Sequence, residues 1–340
     1  MSTIVCLVSR QSMANVIPVL ELHPSEVILL RTKQESKVAL NIQRLFVSKN
    51  IKTRIYKSYI DPYDLETVKS ACREIINESE TNIILNVTGG TKTMAIAAYE
   101  IFKSSDKRIL YYDPIHHIII NMNPIGVENS KVNLKIKIKD YLLAHGYEII
   151  NENTLSGRAE SKKDFISILS QKRFDEFLKF YSEVRANTAL NKPRFDFVRH
   201  KFKFNKSMDK ITIIDEMSKL KISTSHSNFN FGDWLEDILY LKLKGLPLDD
   251  IKYSVKILKD NVKSEIDVLL TKDCKLYLYS CKDKNKVDKF DLFEIEILRN
   301  IAGGTFGKAH FVFTKDDEYI ERVASNLNID VIKITDYFNN

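Results

Sequence analysis

Along the first third of the chain, short apolar runs alternate with segments whose apolar residues recur at helical spacing. Thr3–Val8, Glu26–Leu30, Thr53–Tyr59, Ile83–Val87 and Arg108–Tyr112 read as extended segments. Between them, Met13–Leu20, Ser36–Lys49, Asp64–Asn77 and Met94–Phe102 read as helices, the first kept short or kinked by Pro18. Strands alternating with helices predict a mainly parallel, doubly wound α/β sheet. Ligands of such sheets bind beyond the carboxyl ends of the strands, at a topological switch point. Three polar loops are expected to meet there: Ser9–Ser12, Arg31–Lys33 and Thr88–Thr93.

The pattern then changes twice. Val132, Leu134, Ile136 and Ile138 alternate with polar residues and predict a β-ribbon, followed by a short helix to Gly146. Residues 151–224 are rich in Asn, Ser and Lys. They read as a helical connector with an amphipathic helix at Phe165–Tyr181 and a Lys/Phe-rich stretch from Arg194 to Lys206. That stretch is expected to be a basic helix with its Phe residues packed inward, although such mixtures also bind single strands. A second α/β module follows. Phe231, Trp234, Leu235 and Ile238 make a helical stripe, and Ile251–Lys256, Ile266–Leu270, Lys275–Cys281 and Ala309–Phe313 read as strands, with a helix at Phe290–Ala302. The predicted domains are 1–150, 151–224 and 225–340.

Composition adds bounds. A chain of 340 residues has room for two cores, and 44% hydrophobic with 29% charged residues is ordinary for a globular protein. The net charge of +7 permits a polyanionic partner without requiring one. Cys6, Cys72, Cys274 and Cys281 form no C-x-x-C pair and are expected to be reduced and buried. His116-His117 suggests a loop or strand pair, not a metal site. No apolar run is long enough to span a bilayer, so a cytoplasmic location without membrane contact is expected.

The most informative stretch is Asn82–Ala95, in which a strand runs into Thr88-Gly89-Gly90-Thr91-Lys92-Thr93 and then into a helix. Such a turn aims backbone N–H groups and hydroxyls at one point before a helix N-terminus, a natural phosphate site. Gly89 and Gly90 allow close approach of a ligand or a turn through positive φ. Thr88, Thr91 and Thr93 offer hydroxyls and Lys92 a charge. The spacing matches neither a P-loop nor a dinucleotide fingerprint. The plain alternative is a turn whose glycines only bend the chain.

A second constellation lies in the last third. Ser264-Glu265-Ile266-Asp267 and Ser280-Cys281-Lys282 flank a tight turn at Thr271–Cys274. Side-chain alternation places Glu265 and Asp267 on one face, and Ser280 and Lys282 on one face of the next strand. Paired carboxylates suit Mg²⁺ or Mn²⁺, and a nearby lysine can assist attack on a phosphate. The plain alternative is a solvated hairpin with ordinary salt bridges.

These residues resemble a known pairing. The loop Ser9-Arg10-Gln11-Ser12 and the run Asn86–Ala95 are similar to the CRISPR-associated Rossmann-fold (CARF) sensor domains of type III CRISPR systems. Gly232-Asp233-Trp234-Leu235-Glu236, then Glu265–Val268, then Ser280-Cys281-Lys282 resemble the PD-(D/E)xK nuclease fold, a restriction-endonuclease-like α/β domain. The resemblance implies a homodimer that binds a cyclic oligoadenylate, with cyclic tetra-adenylate expected, and then cleaves DNA and/or RNA with a divalent metal. It assigns ligand contact to Ser9, Gln11, Ser12, Thr32, Thr88, Gly89, Gly90, Thr91, Lys92 and Thr93. It assigns catalysis to Glu236, Glu265, Asp267 and Lys282. The metal would take Glu236, Glu265, Asp267 and the Cys281 carbonyl, with Asp237 as fallback for Glu236. Lys284, Lys286 and Lys289 read either as a grip on the nucleic-acid backbone or as a plain solvated basic loop. One departure stands out, since Ser280 occupies the family's acidic position. The expected reading is a rebuilt metal site; the alternative is a ligand-responsive regulator that binds nucleic acid without cutting it.

Overall fold

The structure is a computed structural model that describes residues 2–79, 82–124, 126–151, 156–167, 169–225, 232–282, 288–314 and 317–338. The first unit runs β1 (Ser2–Leu7), α1 (Met13–Leu22), β2 (Glu26–Leu30), α2 (Ser36–Ser48), β3 (Lys52–Ile55), α3 (Leu65–Glu78), β4 (Asn82–Asn86), α4 (Lys92–Ser104) and β5 (Arg108–Asp113). Then come β6 (Ile118–Asn123) and β7 (Ser130–Lys131). The strand order is β3-β2-β1-β4-β5-β6-β7. The first five strands are parallel and the last two antiparallel. The chain order reverses direction between β1 and β4, which is the switch point the periodicity predicted.

Alternation along β1 shows why both faces are covered. Ile4 and Cys6 pack with α1 and α2, while Val5 and Leu7 pack with α3 and α4. Asp64 caps α3 and Thr91 caps α4, each side chain accepting backbone N–H bonds from the first turn. All four cysteines are buried and free. Among the described residues, no helix is long and apolar enough to cross a membrane.

Two expectations fail here. The ribbon predicted at Val132–Ile138 is an irregular extended segment leading into α5 (Ile138–Ala144). Its alternation buries Val132 and Ile136 against the core without a partner strand. β8 (Glu148–Ile149) then joins not the first sheet but the second, pairing with a strand more than a hundred residues away.

The connector also departs from expectation. It contains α6 (Ser156–Glu160), α7 (Lys163–Ser167) and α8 (Gln171–Ala186), but also β9 (Phe195–Arg199), β10 (Phe202–Lys206), β11 (Lys210–Asp215) and β12 (Lys221–Ser225). The last four form an antiparallel sheet of their own. The stretch expected as a basic helix is therefore the β9–β10 hairpin. Phe195, Phe202 and Phe204 do pack inward, at strand spacing, against Phe174, Phe177 and Phe180 of α8. His200 and Lys201 both take left-handed backbone at its turn, the geometry that matches the twist of paired strands.

The last unit contains α9 (Asp233–Lys244), β13 (Asp250–Lys259), β14 (Val262–Lys272), β15 (Lys275–Lys282), α10 (Lys289–Leu298), β16 (Gly307–Phe313), α11 (Glu318–Asn326) and β17 (Ile329–Lys333). Its sheet is ordered β17-β16-β15-β14-β13-β8. One face is continuous with the core of the first unit through Val255, Ile257, Leu276 and Leu278; the other carries α9 and the connector aromatics. The two units therefore share a hydrophobic core.

Candidate functional site

At the switch point a buried amide pair ties four elements together. Asn86 Nδ2 donates to the Ala14 carbonyl (3.0 Å) and to Asn15 Oδ1 (3.1 Å), and Asn15 Nδ2 donates to the Leu7 carbonyl (2.9 Å). Asn86 Oδ1 accepts the Thr88 N–H (3.0 Å) and hydroxyl (2.6 Å), and Thr88 Oγ1 accepts the Tyr112 N–H (2.7 Å). Both Asn side chains are fully buried, where an unpaired amide would be costly, and the network uses them instead to fix the loop. Sequence reading missed Asn15, whose place opposite Asn86 is set only by the fold.

The two glycines have different reasons. Gly90 sits at φ +76°, as a positive-φ turn requires. A Cβ on Gly89 would stand 2.2 Å from the Leu7 carbonyl, so this glycine admits β1, not a ligand. Thr91 Oγ1 bonds the Thr93 hydroxyl (2.8 Å), and both reach the Pro62 carbonyl. The Thr hydroxyls expected to face a ligand are thus engaged in holding the loop. The N–H groups of Gly89, Gly90, Lys92 and Thr93 have no recorded partner among the described residues, and Lys92 is exposed beside them. Thr32 is buried and accepts the Glu35 N–H (3.3 Å), while Ser12 is buried at the start of α1.

Gln11, expected to contact a ligand, faces the other unit. Its Oε1 accepts the Thr305 N–H (3.0 Å) and hydroxyl (3.1 Å). Thr305 follows Gly304, at φ +56°, in the turn that extends α10.

In the last unit, β13 and β14 lose their alternation at one place. Tyr253 and Val268 pack on one face of the sheet, but Val255 and Ile266, two residues along, pack on the other. Ser254 lies at the flip with φ +47°. The β14–β15 ladder ends at Val268 and Tyr279, and past that end Asp267 Oδ2 accepts the Cys281 N–H (2.6 Å). The splayed strands make a corner that the alternation rule does not foresee. Glu265 accepts the Ser254 hydroxyl (2.8 Å) and stands 3.8 Å from Lys256, and its charge still raises Asp267.

Glu236 comes to the corner from α9. Its carboxyl is pushed up to about 8, first by burial and next by the charge of Asp267. Asp267 is itself raised by burial, partly offset by the Cys281 N–H and by Lys282. Glu236 therefore does not face open solvent, and Asp237, the fallback, is fully buried in ion pairs with Arg158 and Lys162. Lys282 lies 3.9 Å from Asp291 of α10, a neighbour sequence reading missed because it is on the following helix. Among the described residues, no three His, Cys, Asp or Glu side chains converge as a metal-binding group. What converges is a pair of carboxylates with insufficient compensating charge, hard oxygen donors that fit Mg²⁺ or Mn²⁺. Lys289 opens α10 and is exposed; Phe231, Lys284 and Lys286 lie outside the described residues.

Comparison with known proteins follows this division. The Card1 CARF domain family matches residues 3–141, and the Card1-like endonuclease domain family matches residues 224–337. No curated protein matches the chain. Among solved structures, Can2 from Sulfobacillus thermosulfidooxidans in complex with cyclic tetra-adenylate is similar at 23% identity and a TM-score of 0.76, covering 99% of this chain and 96% of that one. Protein VC1899 from Vibrio cholerae gives 18% identity and a TM-score of 0.78, covering 99% and 95%. A type III CRISPR defence DNA nuclease activated by cyclic oligoadenylate gives 17% and 0.62, covering 92% of this chain but 46% of that one.

Proposed function

Because the chain joins a CARF domain of the Card1 type to a Card1-like endonuclease domain, we propose that it is a nuclease switched on by a cyclic oligoadenylate in type III CRISPR antiviral defence. Cyclic tetra-adenylate is the expected activator, being the ligand of the Can2 structure. The observation that carries the reading is the convergence of Glu236 and Asp267 at a splayed strand end, with Lys282 near enough to act on Asp267's charge.

At the sensor end, the bare N–H groups of Gly89, Gly90, Lys92 and Thr93 would bind ligand phosphates, reinforced by the helix dipole of α4 and the charge of Lys92. Ser9, Ser12 and Thr32 line the adjoining loops. A ring with two-fold character fits a homodimer in which each copy presents the same loop across the axis. Activation requires that the ring bind one arrangement of the two units more tightly than another.

At the other end, Glu236 and Asp267, with Glu265 and the Cys281 carbonyl as further donors, would hold Mg²⁺ or Mn²⁺. Bound there, the ion supplies Lewis acidity toward the scissile phosphate of DNA or RNA and acidifies its water. Lys282, held by Asp291, is placed to stabilise charge developing on that phosphate and to orient the attacking water. The Asp267 bond to the Cys281 N–H fixes one carboxylate oxygen and leaves the other as a donor for the ion.

The test is cleavage of DNA and RNA with Mn²⁺, with and without cyclic tetra-adenylate. Ligand-dependent products are expected. Equal cleavage in both conditions removes the gating. Ser280 at the acidic position supports a second reading, a regulator that binds nucleic acid without cutting, and ligand-dependent binding with no product in several metals would select it.

A further inference from the structure

The segment between the two matched families brings its own charges to the nuclease corner. Asp233, Glu236 and Asp237 lie at helical spacings of three and four on α9, so they share one face. Arg158 of α6 stands against that face. Its Nη1 donates to Asp233, its Nε donates to Asp237 Oδ1 (3.0 Å), and its Nη2 lies 3.4 Å from Glu236 Oε2. The guanidinium also lies 5.4 Å from the centre of the Tyr253 ring, next to the strand flip at Ser254. Lys162 completes the cluster, donating to Asp237 and standing 4.6 Å above the Trp234 ring.

We propose that Arg158 is a positioning residue of the nuclease site, holding the first turns of α9 so that the Glu236 carboxyl stays turned toward Asp267. The inference rests on the nuclease reading above. Three acids within two turns repel one another, and a fourth, Asp267, repels Glu236 from across the corner. Without an opposing cation, Glu236 gains by rotating toward water and leaving the corner. A planar fork with several donors can oppose all three acids at once, whereas a single ammonium on a flexible stem cannot. Lys162 alone would satisfy Asp237 but leaves Glu236 unheld. Arg158 contacts the acids of α9, so it acts through Glu236.

The test uses the full chain and compares wild type with Arg158→Ala and Arg158→Lys. Three readouts are taken: Mn²⁺ affinity by calorimetry, cleavage kinetics with activator, and thermal unfolding. Arg158→Ala is expected to weaken Mn²⁺ binding and lower kcat, each by about 10- to 100-fold, with KM for nucleic acid little changed. Arg158→Lys should recover part of both losses, and added guanidinium ion should partly rescue Arg158→Ala. Should the Ala variant fail to fold, Arg158→Lys decides alone: it must melt near wild type yet bind Mn²⁺ more weakly. Wild-type Mn²⁺ affinity and kcat in whichever variant folds overturn the inference while leaving the nuclease reading intact. Absence of Mn²⁺ binding in the wild type overturns both.

Discussion

At the sensor edge the Asn and Thr side chains of the loop already have partners, and what is left over is backbone N–H. At the nuclease corner what is left over is carboxylate charge. Asn15, Asn86, Thr88, Thr91 and Thr93 bond among themselves and to neighbouring carbonyls, so the loop is a preset mould. Glu236 and Asp267 instead both have their proton affinity raised by burial, Glu236 further by the charge of Asp267. The difference fits two tasks. A recognition loop must present the same donors before and after binding, which limits the entropy lost on association. A metal corner keeps charges whose repulsion a cation can relieve.

The contrast is broken most directly at the corner. Asp267→Ala removes the carboxylate that Cys281 orients and should lower cleavage by at least about 10²-fold, leaving cyclic-ligand affinity unchanged in a binding titration. Lys282→Ala should act in the same direction. Loss of ligand binding in either variant would mean that the two ends are not the separate sites described.

Next in size is the mould itself. Gly89→Ala drives a methyl group into the Leu7 carbonyl, and β1 is too tightly packed to yield. Overpacking of this kind costs about 1–3 kcal/mol, to be read from denaturant unfolding. Gly90→Ala also pays for φ +76° and should weaken ligand binding.

Much of this was legible in the chain and some was not. The five parallel strands were readable because a doubly wound sheet buries both faces and so writes near-continuous apolar runs. The Asn82–Ala95 loop was readable because glycine and threonine have few other reasons to cluster before a helix. The roles within it were not: spacing cannot say that Thr91 and Thr93 turn to Pro62, or that Gly89 makes room for Leu7. The connector sheet was hidden because Phe195–Phe197 and Phe202–Phe204 give only two turns of a period-2 pattern, too few to outweigh their basic neighbours. The strand irregularity at Ser254 was not readable either, since the alternation rule assumes unbroken strands. Arg158 carries no motif at all; only the packing of α6 on α9 reveals it.

The corner also sets a pH dependence. Glu236 has a folded value of about 8 against an ordinary 4.5, so the folded protein holds a proton that the unfolded chain releases within that window. Stability of the metal-free protein must therefore fall as pH rises from 4.5 toward 8. His145 and His310, lowered to about 4 by burial, act oppositely, removing stability as pH falls from 6.5 toward 4. Above the ordinary histidine range Glu236 acts together with the four buried cysteines, whose raised thiols pull the same way as pH approaches the ordinary thiol range. Unfolding midpoints without metal should decline between about pH 7 and pH 8, the Glu236 share being no more than about 1.4 kcal/mol per unit. Saturating Mn²⁺ should remove the Glu236 share of the decline, because the folded carboxyl then no longer keeps its proton. A flat metal-free profile would mean that Glu236 is solvated and the corner is not strained.

The smallest effect sharpens the comparison where the two regions touch. Gln11 belongs by sequence to the ligand loop, yet its carbonyl oxygen is spent on Thr305, at the end of the helix that carries Asp291 and so reaches Lys282. If the sensor communicates through this contact, Gln11→Ala should change coupling rather than binding. A hydrogen bond of this kind is worth about 0.5–1.5 kcal/mol. The ratio of activated to basal cleavage should then shift by about 2- to 12-fold, while the affinity for cyclic tetra-adenylate moves by less than the ratio does. Thr305→Val removes the hydroxyl but keeps the N–H, so it should give part of the same shift. The double variant should add little to Gln11→Ala, since both remove one contact. An affinity loss larger than the change in ratio would return Gln11 to the role its position in the sequence suggested, that of a ligand contact.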